Sequence, residues 1–78
     1  MTRFFFDLKK QGQSLLDYRG HDFRSSNAAM EFAEAIALDL RHCLTSSWNG
    51  WSVEVRNAQG MRFASLQVDG QGLELEAA

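Results

Sequence analysis

The stretch that decides the fold of this chain runs from residue 26 to residue 46 and reads SNAAMEFAEAIALDLRHCLTS. It contains neither glycine nor proline, and most of its residues favour helix. Its apolar residues recur at helical spacing, which predicts one long amphipathic helix. The predicted apolar stripe consists of Ala29, Phe32, Ala33, Ile36, Leu40, Cys43 and Leu44. Its alanines indicate that the helix lies close to a sheet.

The residues on either side of this stretch predict where the helix begins and ends. Ser25 and Ser26 are both suited to accept the free N–H groups of a first helical turn, so either is a candidate N-cap. Asn49 and Gly50 follow the stretch, and glycine is the common left-handed cap after a last turn. We therefore expect the helix to stop before Gly50.

The segment before the helix predicts a β-hairpin. Residues 3–10 alternate, which places Phe4, Phe6 and Leu8 on one face of a strand and Arg3, Phe5, Asp7 and Lys9 on the other. The sequence Gln11-Gly12-Gln13 favours a tight turn. Residues 14–19 then predict a return strand that ends at Gly20.

The segment after the helix predicts a second hairpin. Residues 51–56 alternate cleanly, 57–60 form a turn, and 61–68 form the last strand. Phe63 competes with Leu66 and Val68 for the core side, which indicates either a β-bulge or a strand that ends early. We expect the tail from residue 69 to residue 78 to fray.

A sheet with one apolar face and a helix with one apolar stripe bury each other. The prediction is an α+β two-layer sandwich in ββαββ order, with a four-stranded antiparallel sheet and one long helix. It is a single domain over residues 1–78 with an ordered core of about 3–68. The second sheet face is expected to be open and to carry Phe5, Asp7, Glu54 and Arg56.

Composition excludes several classes of protein. Cys43 is the only cysteine, so neither an internal disulfide nor a cysteine-rich zinc site is available. The net charge of −2 argues against a duplex-binding protein, which needs a basic footprint. The first residues meet an acid, Asp7, before a signal-peptide core develops. We expect a cytoplasmic protein with no membrane span and no cofactor.

Four short motifs carry a family resemblance across residues 3–68. They are Arg3-Phe4-Phe5-Phe6-x-Leu8, Asp17-x-x-Gly20, Ala28-Ala29, and Val53-x-Val55 followed by Asn57-x-x-Gly60. In this order the chain resembles a family of small alpha-proteobacterial proteins known only as a domain of unknown function. Two positions depart from that family's pattern, namely Asp7 in place of a frequent histidine and Arg24 in place of a proline. The resemblance implies a ββαββ arrangement in a cytoplasmic bacterial protein and brings no catalytic residues with it.

One polar cluster is a candidate for chemistry. Asp17, His21 and Asp22 surround Gly20, and a histidine flanked by carboxylates is suited to act as a general base or to bind a metal ion. The simpler interpretation is a solvated turn in which the aspartates accept backbone N–H groups. We favour the turn, because nothing else in the sequence supplies a nucleophile or an oxyanion hole.

Four other residues are candidates for an interaction surface. Phe5 and Arg56 on the open sheet face resemble a base-stacking platform, with Arg3 and Arg62 as further candidate basic residues, although Asp7 and Glu54 on the same face oppose it. Trp48 lies in a polar loop, and Leu38 lies on the polar side of the helix.

These observations favour a non-enzymatic protein-interaction or regulatory module, with a second copy of the chain as the expected partner. A second copy is expected because a small domain without disulfides gains stability from burying more apolar surface. The alternatives are weak single-stranded nucleic-acid binding through the open face, and a small enzyme or metal site around Asp17, His21 and Asp22.

Overall fold

The computed structural model describes residues 1–43 and 47–69 in full and residues 73–75 as backbone. The described chain forms one antiparallel sheet and one helix, which confirms the predicted α+β class. The elements in chain order are β1 Thr2–Lys10, β2 Gln13–Leu15, β3 His21–Phe23, α1 Ser26–Arg41, β4 Ser52–Asn57, β5 Arg62–Gln67 and β6 Leu73–Leu75. No helix in these ranges is long and apolar enough to cross a membrane.

The sheet has more strands than the four that were predicted. Its order is β2-β1-β4-β5-β6, and β3 pairs with β1 on the same edge as β2. Within the tail that was expected to fray, Leu73–Leu75 pair with β5 as strand β6. Residues 70–72 and 76–78 of that tail lie outside the described residues.

The return strand of the first hairpin is divided into two pieces. Leu15 pairs with Leu8 and His21 pairs with Phe4, so residues 16–20 lie opposite residues 5–7 of β1. The two extra residues force the chain out of the ladder, as in a large bulge. The prediction of one continuous strand over residues 14–19 is therefore wrong.

Helix α1 begins where the capping residues predicted. The Ala28 N–H donates to the Ser25 hydroxyl at 3.1 Å, which identifies Ser25 as the N-cap. The helix ends at Arg41, so Gly50, although it has a φ of 85°, belongs to a later turn and does not cap it. Residues 44–46, which were expected to continue the helix, lie outside the described residues.

The line of closest contact between helix and sheet consists of alanines. Ala29, Ala33 and Ala37 are buried, whereas Ile36 and Leu40 are half-buried at its border. Small side chains let α1 approach β4 and β5 closely, because no branched side chain separates the two backbones. The bulky Phe32 remains 36% exposed at the border of the stripe and does not lie at its centre.

The sheet side of the core consists of residues from β1, β4 and β5 and of Val68 directly after β5. The buried members are Phe4, Phe6, Val53, Val55, Ala64, Leu66 and Val68. Of the two alternatives at Phe63, the structure has the bulge. It lies between Val55 and Arg56, which pair with Ala64 and Arg62 and leave Phe63 as the extra residue. Its ring packs edge-on against Phe4 at 5.9 Å between centroids. The bulge thus allows Phe63 and Leu66 to contact the same core.

Candidate interaction site

The segment at residues 16–20, here called the Tyr18 turn, crosses the edge of β1 between β2 and β3. Asp17 organises it. One carboxylate oxygen accepts the Phe6 N–H of β1 at 3.1 Å, and the other accepts the N–H groups of Arg19 and Gly20 at 3.0 Å each. A side chain thus takes over the hydrogen bonding that an edge strand would provide, and it closes the turn at the same time.

The carboxylate of Asp17 is stabilised in its charged form. Burial raises the pKa of Asp17, but hydrogen bonds from Gly20, Phe6 and Arg19 lower it, and the attraction of His21 adds to them. The lowering effects prevail, so the pKa of Asp17 lies below its ordinary value. Asp17 is therefore an ionised structural acceptor at neutral pH.

A buried ion pair supports the turn from the sheet. Asp7 is only 3% exposed, and it accepts the Asp17 N–H at 2.9 Å and Arg56 Nε at 2.7 Å. Arg56 also donates through Nη2 to the Asp17 carbonyl at 2.8 Å. The prediction that this sheet face is open is wrong at its centre, because the Tyr18 turn covers Asp7.

Phe5 and Arg56, two of the predicted interaction residues, contact each other. The Arg56 guanidinium carbon lies 4.5 Å from the centroid of the Phe5 ring, which is a cation–π arrangement. Gly20, with a φ of 73°, lies against the same ring, and a Cβ at this position would be 2.8 Å from it and 2.9 Å from the Phe4 carbonyl. Only glycine fits this approach without strain. Phe5 and Arg56 thus form the support on which the turn rests.

The turn is also held from its outer side. Arg3 donates through Nη1 to the Arg19 carbonyl at 2.9 Å and through Nε to Asp22 at 2.9 Å. The hydrogen bond between the two side chains raises the pKa of Arg3 and lowers the pKa of Asp22, and their opposite charges add to both shifts.

The structure does not bring Asp17, His21 and Asp22 together as one site. Asp17 faces backbone N–H groups and Asp22 faces Arg3, whereas the His21 ring lies on the helix side of the sheet, 5.0 Å from the Phe32 ring. Among residues 1–43 and 47–69, no group of three or more His, Cys, Asp or Glu side chains is placed to hold a metal ion.

The hydrogen-bonded turn exposes one aromatic side chain, that of Tyr18, to solvent. Tyr18 is 86% exposed although the residues on both sides of it are hydrogen-bonded. Leu15 and Leu16 are also exposed next to it, and so is Arg19. Sequence reasoning missed Tyr18 because it placed the residue inside a strand. The available signal was Asp17-x-x-Gly20, since aspartate favours a turn around its own side chain and glycine supplies the positive φ.

The remaining predicted interaction residues lie elsewhere. Leu38 is 47% exposed on the solvent side of α1. Trp48 is half-buried, and its ring packs edge-on against Trp51 at 5.2 Å. Trp48 therefore braces the loop before β4 and lies outside the Tyr18 turn.

A sequence model described as "domain of unknown function (DUF6894)" matches residues 3–69. The chain belongs to the DUF6894 family. This confirms the resemblance to a family known only as a domain of unknown function, and the match includes every residue of the Tyr18 turn and of its support. Comparison of this DUF6894 domain with curated proteins and with solved structures found no match.

Proposed function

We propose that this DUF6894 domain is a non-enzymatic protein-interaction module whose contact surface is the Tyr18 turn together with Leu15. The observation that carries the proposal is the combination of an 86% exposed Tyr18 with a backbone held by Asp7, Asp17, Arg3 and Arg56.

This combination favours binding for an energetic reason. A partner that binds a flexible loop must offset the entropy lost when the loop is ordered, whereas a loop ordered in advance avoids that cost. Tyrosine buries a large area for few lost rotamers and is enriched at the energetic centres of interfaces. Leu15, which ends β2, and Leu16, which begins the turn, are also exposed at this edge of the sheet.

The polar groups near the turn support binding over catalysis. A general acid or base must reach the proton it transfers. Asp7 is buried and accepts two protein donors, and Asp17 accepts three backbone N–H groups. Both carboxylates therefore already accept hydrogen bonds from the protein itself. We accordingly assign no catalytic residue and no cofactor.

The partner that the proposal favours is a second copy of the chain, in the cytoplasm. Small domains without disulfides commonly gain stability by self-association, and the single cysteine is in keeping with a reducing compartment. Single-stranded nucleic-acid binding through Phe5 has less support, because Arg56 and Gly20 already lie against that ring.

Light scattering from submicromolar to high micromolar concentration tests the proposal. We expect the mean mass to rise with concentration for the native chain and to stay monomeric for Tyr18→Ala. Met61→Ala is the matched control, because Met61 is exposed at the turn between β4 and β5, outside the Tyr18 turn, and its loss should leave the association intact. Circular dichroism confirms that each variant is folded. A monomer mass for the native chain at every concentration overturns self-association.

A further inference from the structure

We propose that the Tyr18 turn of one copy docks on the solvent side of helix α1 of a second copy, with Tyr18 against Leu38 and Arg19 between Glu31 and Glu34. This inference rests on the proposed function and specifies which surface receives the turn.

The edge that carries the turn is positively charged. Lys10 ends β1, Arg19 lies in the turn, and Arg24 follows β3, and all three side chains are exposed. In the part of the chain that the structure describes, none of the three makes an ion pair. The acids of the same edge are already engaged, since Asp22 pairs with Arg3 and Asp17 accepts backbone donors. Positive charge thus remains available for a partner.

The solvent side of α1 has the opposite character. Glu31, Glu34 and Leu38 are spaced by three and four residues, so they lie on one side of the helix, and all are exposed. Across the described ranges neither glutamate makes an ion pair. The neighbouring cation, Arg41, is directed to the Val68 carbonyl at 2.9 Å. The helix therefore presents one large apolar residue beside two unpaired acids.

The two surfaces match in chemistry, and one chain cannot join them by itself. Each has an apolar centre, Tyr18 or Leu38, beside charges of one sign, which is the arrangement of a buried anchor with a charged rim. Helix α1 packs on β3, β4 and β5 through its buried side, so its acidic side faces away from its own sheet. A second copy supplies the surface that each lacks.

Reversal of charge in separate copies tests this contact. In Arg19→Glu the turn of one copy and the helix of the other are both negative and repel each other. In Glu34→Arg the helix carries a positive charge that repels Arg19 of the other copy. We expect each variant alone to self-associate about tenfold more weakly than the native chain. An equimolar mixture should recover the native affinity, because each copy then meets a complementary surface on the other. Sedimentation equilibrium at low salt measures all three samples.

Asp69→Arg is the matched control for Glu34→Arg. It makes the same change in net charge at an exposed residue outside both proposed surfaces, so on its own it should self-associate as the native chain does. Leu38→Ala should weaken the association as Tyr18→Ala does. If the native chain associates but Asp69→Arg weakens the association as much as Glu34→Arg does, or Glu34→Arg and Leu38→Ala associate normally, the docking site is wrong while the proposed function stands. If the native chain never associates, both fail.

Discussion

The backbone N–H of Phe6 donates to a carboxylate oxygen of Asp17, 3.1 Å away and 11 positions further along the chain. This bond replaces the partner that a continuous edge strand would give Phe6. It lets the chain leave the sheet between β2 and β3 without an unsatisfied donor, which would cost about 1–3 kcal/mol if buried. Tyr18 can therefore be exposed because the Asp17 side chain, and not a neighbouring strand, accepts the Phe6 N–H.

Gly20→Ala should destabilise the domain more than Gly60→Ala does. Both glycines have positive φ, 73° and 85°, so both substitutions carry the cost of a left-handed alanine, about 1–2 kcal/mol. Only at Gly20 does the new methyl meet the Phe5 ring and the Phe4 carbonyl, which adds about 1–3 kcal/mol of overpacking. Urea unfolding measures the difference. Equal losses of unfolding free energy in the two variants would show that Gly20 does not pack tightly against Phe5.

Arg56→Met should cost about 3 kcal/mol of unfolding free energy, because it leaves the Asp7 carboxylate buried without its cation. Asp7→Asn in the same chain should recover part of this loss, giving a coupling free energy of about 1–3 kcal/mol in a double-mutant cycle. Lys9→Met is the control. It breaks a more exposed pair with Glu54 at 3.9 Å and should cost less than about 1 kcal/mol. Additive losses at Arg56 and Asp7 would contradict the buried pair.

The stability contributed by Asp17 should disappear in acid. Its pKa is lower in the folded chain than in the unfolded chain, so the folded state binds fewer protons near that pKa. The contribution is therefore complete above about pH 4 and is lost as the pH falls through the folded pKa. Asp17→Asn should be less stable than the native chain at pH 7, and the difference should shrink below about pH 4.

Urea unfolding from neutral pH to about pH 2 follows this difference. Asp39→Asn, on the exposed side of α1, is the control and should track the native chain throughout. A gap between the native chain and Asp17→Asn that stays constant with pH would mean that charge on Asp17 does not hold the turn.

Ala33→Leu should destabilise the domain by about 1–3 kcal/mol, because Ala33 is fully buried where α1 meets the sheet and leaves no room for three more carbons. Ala35→Leu makes the same change on the exposed side and should alter stability by less than about 0.5 kcal/mol. Thermal unfolding of the two variants compares them directly. A harmless Ala33→Leu would mean that the helix does not lie on the sheet at this residue.

The sequence by itself determined the elements whose signals are local. Ser25 as one of two candidate caps, Ala29 and Ala33 on the buried side of α1, the alternation of β4 and the irregularity at Phe63 all follow from patterns within a few residues, whereas the buried Ala37 was not predicted. These patterns depend on neighbouring backbone groups and on the residue spacing within one helix or strand. They can therefore be interpreted without knowledge of distant contacts. The α+β class followed, because one apolar stripe and one apolar sheet face bury each other.

Only the tertiary structure decided the candidate site. Alternation placed Asp7 on an open face, but Asp7 is buried because Arg56, 49 residues away, and Asp17, 10 residues away, meet it there. Likewise Tyr18 belongs by pattern to a strand and by structure to an exposed turn. Hydrogen bonds between side chains and distant backbone form only after the strands pair, so their geometry depends on the whole sheet. The turn and its exposed tyrosine therefore follow from contacts that no short stretch of the chain contains.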